Sequence, residues 1–78
     1  PTLDWRLEGF PSATVERIEP TVVPDGEPTN IVTLRATHGN AATTVVVPRE
    51  RLDQPMWCTI YRSQLTRELE RLAHPRGE

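Results

Sequence analysis

The chain has 78 residues, a formal net charge of -2, nine basic side chains that are all Arg, and a single cysteine. That length holds one compact domain and excludes two, and a chain this small buries only about 60% of the surface its unfolded form exposes, so its stability margin is thin without a staple or a partner. Cys58 alone excludes an internal disulfide and fits a reducing compartment; apolar runs of a few residues exclude a bilayer span, and no signal-peptide pattern opens the chain, so the reading is of a soluble, cytoplasmic protein.

In chain order, residues 1–12 read as an N-terminal arm or edge strand. "TLDWRLEGFP" sets Leu3, Trp5 and Leu7 on one side and Asp4, Arg6 and Glu8 on the other, until Gly9 and Pro11 break it. Residues 13–48 read as a β-meander. Its first strand, "ATVERIEP", alternates less cleanly. Pairing about the turn "PDGEP" at 24–28 sets Ile18 beside Leu34 on the core side and Glu16 near Ala36. The same register places Arg17 against Arg35, a mild repulsion, and prolines at 20, 24 and 28 forbid a regular ladder, so a slip or bulge is expected there.

The strongest turn signal is "THGNA", where Gly39-Asn40 fills a two-residue hairpin loop that needs positive φ. Pairing around it matches positions whose numbers sum to 79, so Leu34 faces Val45, Val32 faces Val47 and Ala36 faces Thr43 on one side. Arg35 meets Thr44 and Thr33 meets Val46 on the other, a surface suited to water.

Residues 53–74 read as one amphipathic helix. Asp53 is the expected N-cap and Pro55 lies in the first turn; Trp57, Ile60, Tyr61, Leu65, Leu69, Leu72 and Ala73 recur at helical spacing, and His74-Pro75 ends the pattern. The helix stripe and the sheet's Ile18, Val32, Leu34, Val45 and Val47 each need cover and are the obvious cover for one another. The expected fold is a single small α+β domain over 1–78: a three-stranded antiparallel meander, or four-stranded with the N-terminal segment, packed against one C-terminal helix. The order β-β-β-α is similar in topology, though not in residues, to that of arm-type DNA-binding domains of tyrosine recombinases, and topology does not assign function.

No set of side chains reads as catalytic or metal-binding, and no cofactor is implied. Cys58, His38 and His74 lack the close ligand pairs of a structural zinc site and the oriented base that a nucleophile needs. Glu16 and Glu19 point to opposite faces of a strand, and Asp25 and Glu27 belong to a solvated turn. Gly9, Gly26, Gly39 and Gly77 are scattered as turn residues, with no phosphate loop among them. Arg62, Arg67 and Arg71 with Glu68 and Glu70 make an ordinary solvated helix face, with Glu68 and Arg71 paired at i,i+3.

Two partner readings remain. The first is a protein-protein interaction module, an inhibitor, adaptor or subunit that binds another protein or a second copy through a sheet edge, the N-terminal arm or the helix face. Trp5, Phe10, Tyr61 and Arg62 are its candidate contacts, because aromatic and Arg side chains exceed what one narrow sheet face needs. The second is nucleic-acid binding through the polar sheet face and the 38–40 hairpin tip, with Arg35, His38, Asn40 and Arg49. Charge placement argues against it: residues 1–28 carry six acids against two arginines, a net of -4, while residues 29–78 carry seven arginines against five acids, a net of +2.

Overall fold

The structure is a computed structural model that describes residues 2–21, Gly26 and 30–74. Its elements are β1 (Thr2–Leu3), β2 (Thr14–Ile18), β3 (Ile31–His38), β4 (Ala41–Pro48), a 3-10 turn (Arg49–Asp53) and α1 (Pro55–Ala73). The strands form one antiparallel sheet in the order β1-β2-β3-β4, so the α+β architecture takes its four-stranded form.

The β3–β4 hairpin follows the sequence pattern throughout. Val32 pairs with Val47, Leu34 with Val45 and Ala36 with Thr43, and the loop between His38 and Ala41 is two residues long. Only Gly39 takes positive φ, at 59°; Asn40 does not. Positive φ at the first central position alone is the type II′ arrangement, whose twist matches that of the flanking strands.

β2 sits one residue away from the expected register. Val15 faces Ala36, Glu16 faces Arg35, Arg17 faces Leu34 and Ile18 faces Thr33. A one-residue slip moves every side chain to the other face. Val15 is therefore the buried core residue, and Ile18 is 40% exposed on the outer face, which corrects its assignment to the core. The slip exchanges the Arg17–Arg35 repulsion for an opposite-charge cross-strand pair, Glu16 with Arg35, and buries a β-branched side chain. Arg17 is carried to the inner side and escapes at the sheet's end, where its Nε donates to the Glu19 carboxylate at 2.8 Å, and Arg49 closes on the same carboxylate at 2.5 Å. The "PDGEP" turn at 24–28 lies outside the described residues, apart from Gly26.

The N-terminal segment is more than an arm. β1 pairs Thr2 with Glu16 and Leu3 with Val15. Beyond it the Phe10 N–H donates to the Leu7 carbonyl at 3.0 Å, closing a turn with Gly9 at φ 84°, as the third position of a type II turn requires. A second turn with Pro11 at its first central position follows, the Ala13 N–H donating to the Phe10 carbonyl at 3.0 Å. These turns drop Leu7 and Phe10 into the core.

α1 covers the rest of the inner face, lying over β4 more than over β3. Tyr61, Leu65 and Leu69, spaced by four, are its buried stripe. Ile60 and Leu72, expected in that stripe, are 36% and 37% exposed, and Ala73 is exposed. The helix begins after Gln54, whose carbonyl accepts from the N–H groups of Trp57 and Cys58 at 3.0 and 3.1 Å. Asp53 is not the N-cap: it ends the 3-10 turn that carries the chain from β4 to the helix. As expected, His74 ends the helix, its N–H donating to the Glu70 carbonyl. Among the described residues no helix is long and apolar enough to cross a membrane.

Candidate protein-binding edge

Strand order decides where unpaired backbone is left. Among the described residues, β4 has β3 on one side and no strand on the other along all eight of its residues. A two-residue loop closes on a hydrogen-bonded pair, here His38 and Ala41, and bonded and non-bonded pairs then alternate along an antiparallel ladder. The odd-numbered residues of β4 therefore bond to β3. Ala42, Thr44 and Val46 turn both N–H and C=O to the open side, and Pro48 turns only a carbonyl.

Sheet edges are usually blunted by charge, proline, a bulge or brevity. From Ala41 to Val47, β4 carries no charge and no proline, and its pairing to β3 is continuous. Thr43, Thr44, Val45, Val46 and Val47 are all β-branched, the residue type that holds an extended backbone.

A groove runs along the inner side of this edge. One hollow is lined by Thr43, Thr44 and Val45 from β4 and by Gln64, Leu65, Arg67 and Glu68 from α1. Toward the hairpin tip a second, mostly apolar hollow brings Leu72 and Ala73 beside Gly39 to Ala42. The flank of α1 that looks over the β4 edge thus holds Gln64, Glu68 and Leu72, and i,i+4 spacing adds Ile60 and Met56 to the same line. Met56 is 64% exposed, and Val46, on the outer face beside the edge, is 58% exposed.

The side chains singled out in the sequence are dispersed. Phe10 and Tyr61 are buried in the core, and Trp5 is half-buried against it. Phe10 meets the His38 ring edge-on at a centroid distance of 5.0 Å. Tyr61 stacks on Trp57 at 5.9 Å, the Arg51 guanidinium lies 3.8 Å from the Trp57 ring centroid, and Arg51 Nη1 donates to the Tyr61 hydroxyl at 3.4 Å. The tyrosine's cationic neighbour is therefore Arg51, folded back by the 3-10 turn. Arg62 donates to Thr59 Oγ1 at 3.3 Å and borders a polar hollow with Arg6, Glu8 and Arg67 on the far flank of α1. Cys58 donates its thiol proton to the Leu52 carbonyl at 3.3 Å.

The candidate nucleic-acid contacts are not gathered either. His38 and Asn40 are at the hairpin tip, Arg35 is on the outer face opposite Glu16, and Arg49 is at the opposite end of the sheet, bound to Glu19. The Glu19 carboxyl is held below the ordinary carboxylate range, first by its hydrogen bond from Arg49 and then by Arg17, with desolvation acting the other way. Glu68 is lowered in the same sense by Arg71, whose guanidinium lies 2.8 Å away.

Comparison with protein-family models, curated proteins and solved structures returned no match. The fold and the site define an α+β domain whose antiparallel sheet, among the described residues, is left open along one long, uncharged edge.

Proposed function

We propose that this domain is a non-enzymatic protein-interaction module that takes up an extended polypeptide segment along β4. The supporting observation is the free edge itself: three residues, Ala42, Thr44 and Val46, with outward donors and acceptors on a strand without charge. Main-chain bonds to such an edge supply affinity, and the groove between β4 and α1 supplies selection for alternate side chains of the added strand. Gln64, Arg67 and Glu68 at the groove's rim offer polar contacts, and Val45 and Leu65 form its floor.

The test is selection of a displayed random-peptide library on the domain, followed by amide exchange of the complex. Enriched peptides are expected to be extended and rich in β-branched residues, and to slow exchange at Ala42, Thr44 and Val46. Thr44→Pro, which deletes one edge donor and no bond to β3, is expected to weaken binding about fivefold, the worth of one hydrogen bond. Peptides that protect other amides, or that bind Thr44→Pro unchanged, would overturn the proposal.

A further inference from the structure

The β4 edge is complementary to itself, and we infer that its occupant is a second copy of this chain, joined about a two-fold axis at Thr44. The inference rests on the reading of β4 as a binding edge and adds the identity of the strand that binds there.

Register follows from which backbone groups are free. An antiparallel pairing of β4 with its copy must match even-numbered residues with even-numbered ones. Centring it on Thr44 pairs Ala42 with Val46 of the second copy, Thr44 with Thr44, and Val46 with Ala42. Each of these pairs exchanges two main-chain bonds, so every free donor of the edge is used. Pro48 falls beyond the paired stretch, where its missing N–H costs nothing. Side chains fit the same register. On the outer face bulky Val46 lies against small Ala42, and on the inner face Thr43 lies against Val45.

The helices then meet without further adjustment. α1 runs back along β4 toward the hairpin tip, since Leu72 and Ala73 lie beside Gly39 to Ala42 and Gln64 to Glu68 lie beside Thr43 to Val45. A two-fold axis at Thr44 passes near the middle of α1, between Gln64 and Glu68, and sets the two helices antiparallel. Paired strands lie about 4.8 Å apart, and helices over them that also touch β3, as α1 does, reach the roughly 8–10 Å spacing of packed helices. Ile60 then faces Leu72 of the second copy, and Gln64 faces Glu68, an amide donor against a carboxylate. This covers the two leucine-type side chains that the monomer leaves exposed on its helix, and no like charge is brought to the strand seam. An isologous contact of this kind closes on itself and leaves each partner's β1 edge as the boundary of an eight-stranded sheet.

Sedimentation equilibrium from about 1 μM to 1 mM, a range that spans weak to moderate homodimers, reads the association directly. The expected result is a mass that doubles with concentration, together with concentration-dependent slowing of amide exchange at Ala42, Thr44 and Val46. Thr44 carries the decisive variants because only in this register does it face itself. Thr44→Lys and Thr44→Glu are each expected to weaken self-association roughly fivefold, and an equimolar mixture to recover it as a heterodimer. Ile60→Glu is expected to weaken it through the helix seam. A dimer indifferent to Thr44 charge, with no recovery in the mixture, would overturn the inference. So would a monomer at every concentration, and if library peptides still protected the edge of that monomer, the binding-edge reading would stand while the second copy was removed as its occupant.

Discussion

At one side of the sheet β1 offers only Thr2 and Leu3 to the ladder before the chain turns twice and sends Leu7 and Phe10 into the core. At the other side β4 continues for eight residues with no described strand paired to its outward backbone and no charge in its sequence to repel one. The first edge is closed by brevity and by the side chains that follow it; the second is left in the state that most soluble proteins avoid. The contrast shows where this chain has placed its protection, and by omission where it has left room for contact.

The largest test of that contrast is Leu7→Ala. If the N-terminal segment is structural, removing this buried side chain should cost about 2–5 kcal/mol in urea unfolding, as much as a core leucine on the helix. A cost under about 1 kcal/mol would return the segment to the status of a loose arm. Next comes a pair of proline substitutions on β4. Val45→Pro removes a donor that bonds to β3 and should cost about 3 kcal/mol or more, whereas Thr44→Pro, one residue away, should cost less than about 1 kcal/mol in the monomer. Equal costs would mean that the edge is not free. Gly9→Ala tests the turn behind β1. Apart from its chain neighbours, no described residue comes within 4 Å of the added methyl group, so its expected cost of about 1–2 kcal/mol comes from the positive φ.

The smallest effect is electrostatic. Glu19 has a lowered pKa in the folded chain, so its pairing with Arg49 and Arg17 contributes stability above the ordinary value of 4.5, and that contribution is lost as pH falls through the lowered folded value. A thermal melt of the wild type should therefore shift down between about pH 5 and pH 3 more than that of Glu19→Gln. Glu19 is exposed and both arginines are half-buried, so solvent screening limits the difference to a small one.

Much of this arrangement is legible in the sequence. A Gly-Asn loop flanked by β-branched residues fixed the β3–β4 register to the residue, because a two-residue turn leaves no freedom. The sequence sets β2 one residue out because the segment that joins it to β3 is long and proline-rich and carries no register information; the observed register buries Val15 and sets Glu16 opposite Arg35. The sequence offers Phe10 and Tyr61 as contacts because a core under one narrow sheet face has little room for them. The sheet's inner face is wider than one helix, and Phe10 fills the part that α1 does not reach. The open edge itself could not be read, since "AATTVVV" suits a central strand equally well; only strand order distinguishes the two.

The short 3-10 turn between β4 and α1 has a consequence for how the chain folds. Only the 3-10 turn and Gln54 separate β4 from α1, so once the β3–β4 hairpin has formed the helix docks by closing a short connection, while β2 must close over the longer stretch between Ile18 and Ile31. Folding should then nucleate in the carboxyl-terminal two thirds, with the amino-terminal strands condensing later. Mutational φ-values near zero at Val15 and Leu7, beside intermediate ones at Leu34 and Leu65, would carry that signature.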